Sequence, residues 1–356
     1  MNYKAETGKV KKYGRTWMHD GILWCGLSGS GIGFTCMGTR VAVTIAGDDT
    51  TYGNETEGKA RIAVYVNGIR VVDDMVTRRE QTYEVFASTH PQQAEIQVLK
   101  ISECAMSVMG IAGIETDAAD GIFPLPEKKR KIEFIGDSIT CGYGVDMEDP
   151  EVPFATEYED VTRAYAYKVA QKLDADYSMV SYSGYGVISG YTEEEVPDTK
   201  ELVPTYYNKV GFSYAHPYGT TELSELPWDF TQFVPQVIVV NLGTNDDSYC
   251  KDDPMRQQQF SEKYTAFLEQ IRQYNPQAAV LCTVGMMGER IYPAVEEAVQ
   301  QYCLDHPGSP VYAMPLTEQE KEDGLASDSH PTERTHEKAA EKVAAKIREI
   351  MEWQSI

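Results

Sequence analysis

The sequence predicts an α/β protein in which a β-sandwich of the jelly-roll type precedes a three-layer α/β/α domain with a parallel sheet. Two observations support this fold class. Short β-type segments separated by turn residues run from Trp17 to Thr116, whereas strand-like and helix-like segments alternate after Lys131. Many short strands are typical of a sandwich, and alternation of strands with helices is typical of a parallel sheet covered on both faces.

The β-type segments of the first part lie at 40–45, 61–66, 69–72, 81–86, 94–100 and 107–111. Asn67-Gly68 indicates a hairpin, because both residues tolerate positive φ in a tight turn. In the second part, strands are predicted at 132–135, 177–182, 237–242, 279–284 and 311–315, and helices at 162–173, 255–274, 291–305 and 332–353. The last helix carries apolar residues on one face at helical spacing.

The length and the composition are compatible with two folded domains. The chain has 356 residues, 42% of them hydrophobic, which is enough for a sizeable core. The segment 117–131 contains two prolines and a basic cluster, a composition typical of an interdomain linker. We therefore predict a sandwich at 1–118, a linker at 119–131 and an α/β domain at 132–356.

The charge and the cysteines exclude several classes of function. A formal net charge of −23 argues against binding to nucleic acid or to an anionic membrane, and is compatible with a neutral sugar. No apolar stretch approaches the ~20 residues of a membrane span, and no apolar block follows the N-terminal basic residues, so we expect a cytoplasmic protein. The seven cysteines are scattered without a CxxC pair, and no metal or organic cofactor is expected.

Four polar groups follow strands of the predicted parallel sheet or precede its last helix. Ser138 follows the first strand, Gly184 the second and Asn245 the third, and His330 comes just before the last helix. Ligands of such sheets bind at the carboxyl ends of the strands, so these groups are expected to converge. Taken alone, the Gly-Asp-Ser turn at Ser138 is equally compatible with a serine that caps a helix.

The converging groups are those that acyl transfer requires. A serine hydroxyl becomes a nucleophile when a base takes its proton, and a neutral histidine serves as that base. The oxyanion that forms on the substrate needs donors aimed at it. We assign these donors to the backbone amides of Ser138 and Gly184 and to the side chain of Asn245. Asp137 and Asp246 flank the site and are predicted to brace the turns.

The four blocks GDSIT (136–140), SGYG (183–186), GTND (243–246) and DSHPT (328–332) resemble those of the SGNH (GDSL-type) hydrolases, in family order. With a β-sandwich ahead of the catalytic domain, the whole chain resembles carbohydrate esterase family 2. The resemblance implies that Ser138 is the nucleophile and His330 the base. The usual aspartate three residues before the histidine is Ser327 here, and Asp328 is predicted as the third member of the triad. The alternative is a Ser-His dyad in which a backbone carbonyl orients the imidazole, as in some members.

The segment 190–228, between the second and third strands, is rich in aromatic residues: Tyr191, Tyr206, Tyr207, Phe212, Tyr214, Tyr218 and Trp228. Aromatic faces stack on sugar rings, so substrate contacts are predicted in and near this segment. The predicted contacts are Tyr185, Tyr214, His216, Tyr218 and Trp228. For Trp228 a place in the core is the favoured alternative.

The resemblance implies a serine esterase that removes O-acetyl groups from plant-derived oligosaccharides, such as fragments of acetylated xylan or mannan. An acetylated oligosaccharide is then the partner expected at the site. Two alternatives are open at this point. One is a lipase or thioesterase of the same superfamily, and the other is a carbohydrate-binding protein with an inert hydrolase domain.

Overall fold

The computed structural model describes residues 1–53, 58–217 and 222–354, and these form two compact units. The first unit comprises Met1–Glu127, Ala155–Glu159 and Lys209–Trp228, and the second comprises Lys128–Phe154, Asp160–Asn208 and Asp229–Ile356. The two short additions to the first unit had no counterpart in the sequence analysis. No helix within the described ranges is both long and apolar enough to span a membrane.

The described part of the first unit contains one curled antiparallel sheet. Its strands are β1 (Asn2–Tyr3), β2 (Lys11–Tyr13), β3 (Thr16–His19), β4 (Ile22–Cys25), β5 (Gly31–Gly47), β6 (Arg61–Val66), β7 (Ile69–Met75), β8 (Glu80–Lys100), β9 (Met109–Thr116) and β10 (Ile122–Pro124). The long strand β5 pairs with β8 along one side and with β9 along the other, and the register shifts at two places between β5 and β8. Such shifts bend a strand, which allows the sheet to curl around its core.

The core of the first unit lies inside this curl. Val41, Val43 and Ile45, at every second position of β5, are fully buried, as are Ile96 and Val98 of β8. This period of two is the pattern expected of strands with one buried face. The predicted runs at 81–86 and 94–100 are parts of the single 21-residue strand β8.

The structure differs from the predicted linker at 119–131. Ile122 is buried and begins β10, which pairs with β5, so most of the segment belongs to the first unit. Arg130 already begins the first strand of the second unit. Prolines and basic residues suggested a linker, but the burial of Ile122 places this chain segment on the sheet.

The described part of the second unit has a five-stranded parallel sheet in the order β12-β11-β13-β14-β15. Its strands are β11 (Arg130–Gly136), β12 (Ala175–Ser181), β13 (Val237–Asn241), β14 (Ala279–Val284) and β15 (Val311–Pro315). Its helices are α1 (Ser138–Cys141), α2 (Tyr165–Lys172), α3 (Val203–Tyr206), α4 (Thr244–Cys250), α5 (Pro254–Tyr274), α6 (Tyr292–Asp305) and α7 (Glu333–Met351). β12, β13 and β14 are buried along their whole length, as expected of a sheet covered on both faces. The predicted fold class is confirmed.

The strand order places the site. From β11 the chain moves to β12 on one side and then to β13 on the other, and Gly136 pairs with both Ser181 and Asn241. Ligands of open α/β sheets bind at such a reversal of strand order, outside the carboxyl ends. The segments that follow these three strands therefore begin next to each other.

Candidate active site

Ser138 is the first residue of α1, directly after the Asp137 that caps this short helix. The Asp137 Oδ1 accepts a hydrogen bond from the Ile139 amide at 3.0 Å. Gly136 is required by space, since an added Cβ would lie 2.0 Å from the Thr140 Oγ1. The cap is therefore Asp137, and the Ser138 side chain is left to face the cleft.

His330 lies within hydrogen-bond distance of the serine. Its Nε2 is 2.9 Å from the Ser138 Oγ, and its Nδ1 is 3.3 Å from the backbone carbonyl oxygen of Asp328. A carbonyl only accepts, so Nδ1 carries the proton and Nε2 is free to accept from the serine hydroxyl. The loop is braced by hydrogen bonds from the His330 amide to the Ser327 carbonyl and from the Ala326 amide to the His330 carbonyl.

The imidazole is held neutral. His330 retains some exposure at the cleft, but its ring is enclosed on most sides, and this desolvation lowers its pKa to about 4. The carbonyl and the charge of Asp328 act in the opposite direction and are outweighed. A neutral imidazole at ordinary pH is the form that takes a proton from a hydroxyl group.

The carboxylate of Asp328 does not reach the imidazole, in contrast to the predicted triad. Its Oδ2 accepts hydrogen bonds from the Tyr143 hydroxyl at 2.6 Å and from the Phe154 amide at 3.1 Å. Asp328 has φ 48° and ψ 38°, and Ser329 has φ 60°. This left-handed turn directs the Asp328 carbonyl toward His330 and its side chain toward Tyr143. The geometry is that of the dyad alternative.

Gly184 and Asn245 are connected through a tight loop. Gly184 has φ 83°, a conformation that favours glycine. The Asn245 Nδ2 donates to the Tyr185 carbonyl at 2.8 Å, which fixes the carboxamide. A carboxamide nitrogen carries two N–H donors, and Asn245 lines the cleft. The second N–H is therefore available to a substrate oxygen.

Asp246 holds the rest of that loop. Its Oδ1 accepts from the amides of Val187, Ile188 and Ser189 at 2.8, 2.7 and 3.1 Å. An added Cβ at Gly186 would lie 2.0 Å from the Ser189 carbonyl oxygen and 2.6 Å from the Asp246 Oδ2. The loop therefore turns around a buried carboxylate, and glycine at position 186 leaves room for it.

The two aspartates beside the reactive residues are fully buried. Desolvation raises the pKa of Asp137 to about 7 and that of Asp246 to about 6. The charge of Asp246 raises the pKa of Asp137 further, while backbone amides lower both. Neither side chain reaches solvent, and their contacts are those of turn braces, as predicted.

A cleft of about 710 Å³ opens above these groups. The residues that line it are Ser138, Tyr143, Pro150, Gly184, Tyr191, Thr244, Asn245, Asp247, Ser248, Met287, Asp328, Ser329 and His330. The lining combines hydroxyl, carboxylate and amide groups with apolar surface, and Tyr191 is 57% exposed. Tyr143, Tyr191 and Asp247 had not been singled out from the sequence. The aromatic composition of the insert pointed toward Tyr191 but did not distinguish it from its neighbours.

Most of the predicted sugar contacts lie elsewhere. Tyr185 is buried beside Tyr182, and Trp228 is buried under the guanidinium of Arg15. Tyr214 is exposed and His216 partly so, but within the described residues neither they nor the two buried aromatics line the cleft.

His216 instead pairs with Asp49 at 3.1 Å and with Glu222 at 3.0 Å, which raises its pKa. These two contacts stabilise the position of His216 within the first unit. Tyr218 lies outside the described residues.

The described residues contain no group of His, Cys, Asp and Glu side chains that could hold a metal ion. The groups that meet at the cleft are thus a serine, a neutral imidazole, backbone amides and a carboxamide. These suffice for acyl transfer through a covalent intermediate.

Comparison with known proteins gives a family for each part of the chain. The family model of the GDSL-like lipases/acylhydrolases matches residues 132–343. The model of the N-terminal domain of carbohydrate esterase 2 matches residues 13–126. These two ranges agree with the division at Glu127.

Two curated relatives cover almost the whole chain. Cellulase/esterase CelE of Acetivibrio thermocellus is 28% identical over 333 residues, which are 92% of this chain and 38% of that protein. An acetylxylan esterase/glucomannan deacetylase of Cellvibrio japonicus is 24% identical over 356 residues, covering 98% of this chain and 91% of the relative. The chain thus spans well under half of the first relative's length.

Solved structures extend the similarity to the fold. A family two carbohydrate esterase from Clostridium thermocellum, in complex with cellohexaose, superposes with a TM-score of 0.82 at 27% identity, covering 97% of this chain and 100% of that one. An acetyl xylan esterase from the rumen bacterium Butyrivibrio proteoclasticus superposes with a TM-score of 0.87 at 22% identity, covering 99% of both chains. The second likeness concerns the fold alone.

Proposed function

We propose that this chain is a serine esterase that removes O-acetyl groups from oligosaccharides. The chain belongs to the GDSL-like lipase/acylhydrolase family and carries the N-terminal domain of carbohydrate esterase 2. The observation that carries the proposal is the 2.9 Å contact between the Ser138 Oγ and the His330 Nε2 inside a cleft that Asn245 and Gly184 also line. The substrates proposed are acetylated fragments of xylan or mannan. The relative from Cellvibrio japonicus is named an acetylxylan esterase/glucomannan deacetylase, which supports this choice.

The first chemical step is acylation of the serine. His330 takes the hydroxyl proton as Ser138 attacks the acetyl carbonyl, and the charge of the resulting oxyanion meets the amides of Ser138 and Gly184 and the side chain of Asn245. Each well-aimed donor is worth about 3 kcal/mol of barrier in such sites. The imidazolium then gives its proton to the sugar oxygen, which leaves as a hydroxyl group.

The second step is hydrolysis of the acetyl-serine. Water enters, and His330 takes one of its protons as the water oxygen attacks the acetyl carbon. The tetrahedral intermediate then collapses: the bond from the acetyl carbon to the Ser138 Oγ breaks, the imidazolium returns its proton to that oxygen, and acetic acid leaves as acetate after losing its proton to solvent. The Asp328 carbonyl stabilises the imidazolium and keeps its Nδ1–H oriented in both steps. In this scheme a dyad, not a triad, carries the proton transfers.

The cleft fits a sugar ester better than a long acyl chain. Hydroxyl, carboxylate and amide groups interrupt the apolar surface of its lining, and an exposed tyrosine, Tyr191, lines it as well. An aromatic face packs on the apolar face of a sugar ring, whereas a fatty acyl chain needs a continuous apolar trough. A preference for octanoyl over acetyl p-nitrophenyl esters would therefore contradict the proposed substrate class.

The test measures acetate release from acetylated xylo- and manno-oligosaccharides by mass spectrometry. The wild-type protein should release acetate, and Ser138→Ala should reduce the rate by more than a thousandfold. Ser309→Ala, in the same unit but outside the cleft, is the matched control and should retain the wild-type rate. Equal rates for wild type and Ser138→Ala would refute the nucleophile, and with it the proposed mechanism.

A further inference from the structure

The catalytic imidazole is packed against an aromatic stack. The ring of His330 lies 3.9 Å from that of Tyr143, centroid to centroid, with 24° between the planes. On its other side Tyr143 stacks on Phe154 at 4.1 Å and 19°. The orientation of the imidazole ring therefore depends on the position of the tyrosine ring.

The tyrosine ring is in turn fixed at its far end. The Tyr143 hydroxyl donates to the Asp328 Oδ2 at 2.6 Å, and the same oxygen accepts from the Phe154 amide at 3.1 Å. One carboxylate oxygen thus ties both aromatic residues to the loop that carries His330. Because two donors share this one oxygen, its position determines the positions of both aromatic residues.

The backbone around the anchor is built for this arrangement. Gly144, the neighbour of Tyr143, has φ 64°, and an added Cβ would lie 2.6 Å from the Ser327 Cβ. The Ser327 amide donates to the Met147 carbonyl at 2.8 Å, and the Asp328 amide to the Val152 carbonyl at 3.3 Å. The turn after α1 and the histidine loop are therefore packed closely together.

We propose that Tyr143 is a positioning residue for His330, and that the Asp328 carboxylate acts on catalysis through the Tyr143 hydroxyl. The carboxylate holds the tyrosine, the tyrosine ring holds the imidazole, and the Asp328 carbonyl accepts from Nδ1. This inference rests on the proposed esterase function. It assigns to Asp328 a role that needs a hydrogen-bond acceptor but not a negative charge.

The test compares variants that separate the acceptor from the charge. Asp328→Asn keeps an acceptor oxygen and a residue type that tolerates the left-handed conformation, so its kcat should stay within about threefold of wild type. Asp328→Ala and Tyr143→Phe each break the anchor and should lower kcat by about tenfold, since misplacement of a catalytic group by a fraction of an ångström costs this much. In Asp328→Ala and Tyr143→Phe the loss should fall mainly on kcat, with a smaller change in KM, since both residues also line the cleft.

The decisive measurement is the double variant. In the Asp328→Ala background, Tyr143→Phe should have no further effect on kcat, because the hydroxyl no longer has its partner; any backbone strain from alanine cancels in this comparison. If Asp328→Asn lost activity as severely as Asp328→Ala while Tyr143→Phe remained at the wild-type level, the carboxylate would act directly on His330 and the inference would be overturned. Multiplying losses in the double variant would overturn it as well.

The two proposals fail in different ways. Absence of acetate release by the wild-type protein would refute the esterase function. An active wild type with the variant pattern of a charge-dependent triad would refute only the role of Tyr143. Midpoints of thermal unfolding, measured for every variant, identify any loss of kcat that arises from unfolding.

Discussion

The buried carboxyl group of Asp137 makes the stability of the second unit depend on pH. The substitution Asp137→Asn removes this contribution and so measures it. Desolvation raises the pKa of Asp137 from 3.8 to about 7. A raised pKa means that the folded protein binds the proton more tightly than the unfolded chain. The associated stability is present at low pH and is lost as the pH rises through about 7. Asparagine at this position cannot ionise, so the variant does not lose this stability as the pH rises.

The magnitude follows from the displacement of the pKa. Each pKa unit corresponds to about 1.4 kcal/mol, so Asp137 makes the free energy of unfolding about 2–3 kcal/mol smaller at pH 8 than at pH 5. Any constant effect of Asp137→Asn, such as a changed hydrogen bond to the Ile139 amide, cancels between the two pH values. For a unit of this size the difference corresponds to roughly 5–10 °C in the unfolding midpoint. Asp246 is present in both proteins. In the variant it has no charged neighbour at position 137, which also favours the folded variant over folded wild type at pH 8.

The assay is calorimetric unfolding of wild type and Asp137→Asn at pH 5 and pH 8. The variant should gain stability relative to wild type on going to pH 8. Asp229→Asn is the matched control: its Oδ1 also caps a turn by accepting from the amide two residues on, but the side chain is exposed and its pKa is lowered. Its effect should be the same at both pH values. A difference for Asp137→Asn that is independent of pH, or larger at pH 5, would refute the reasoning.

Three further predictions concern the cleft. The rate constant kcat/KM should fall with a pKa near 4 on the acid side, because His330 loses its base form only there; an acid limb near 6.5 would contradict this burial effect. Tyr191→Ala should raise KM for acetylated oligosaccharides about fivefold, the equivalent of about 1 kcal/mol of stacking, while hydrolysis of p-nitrophenyl acetate stays unchanged. Gly186→Ala should lower kcat about a hundredfold because its Cβ would collide with the Ser189 carbonyl. Gly113→Ala, which meets nothing within 4 Å, should retain full activity, and equal rates for the two alanine variants would count against the role of the loop.

The sheet of the second unit and the convergence on it were predictable because both follow from local patterns. Buried parallel strands appear in sequence as continuous apolar runs, and Ser138 and Asn245 follow such runs within a few residues. Parallel strands then bring their carboxyl ends to one edge. Gly136 pairs with Ser181 and with Asn241, so the ends of these three strands do lie at one edge.

The features that sequence could not give depend on contacts between distant residues. Residues 209–228 join the first unit through contacts such as that of His216 with Asp49, whereas the aromatic composition suggested a sugar cleft. The direction of the Asp328 side chain depends on a left-handed turn and on Tyr143, far back in the chain. The spacing of Asp328 and His330 alone allows either the carboxylate or the carbonyl to face the imidazole.

The three aspartates next to reactive residues have one physical property in common. Asp137, Asp246 and Asp328 each accept hydrogen bonds from backbone amides: those of Ile139, of residues 187–189 and of Phe154, respectively. A carboxylate that accepts hydrogen bonds from backbone amides holds the turn in which those amides lie. These carboxylates therefore stabilise the positions of Ser138, of the loop 184–189 and of His330. In the proposed mechanism, proton transfer is left to Ser138 and His330, which both line the cleft.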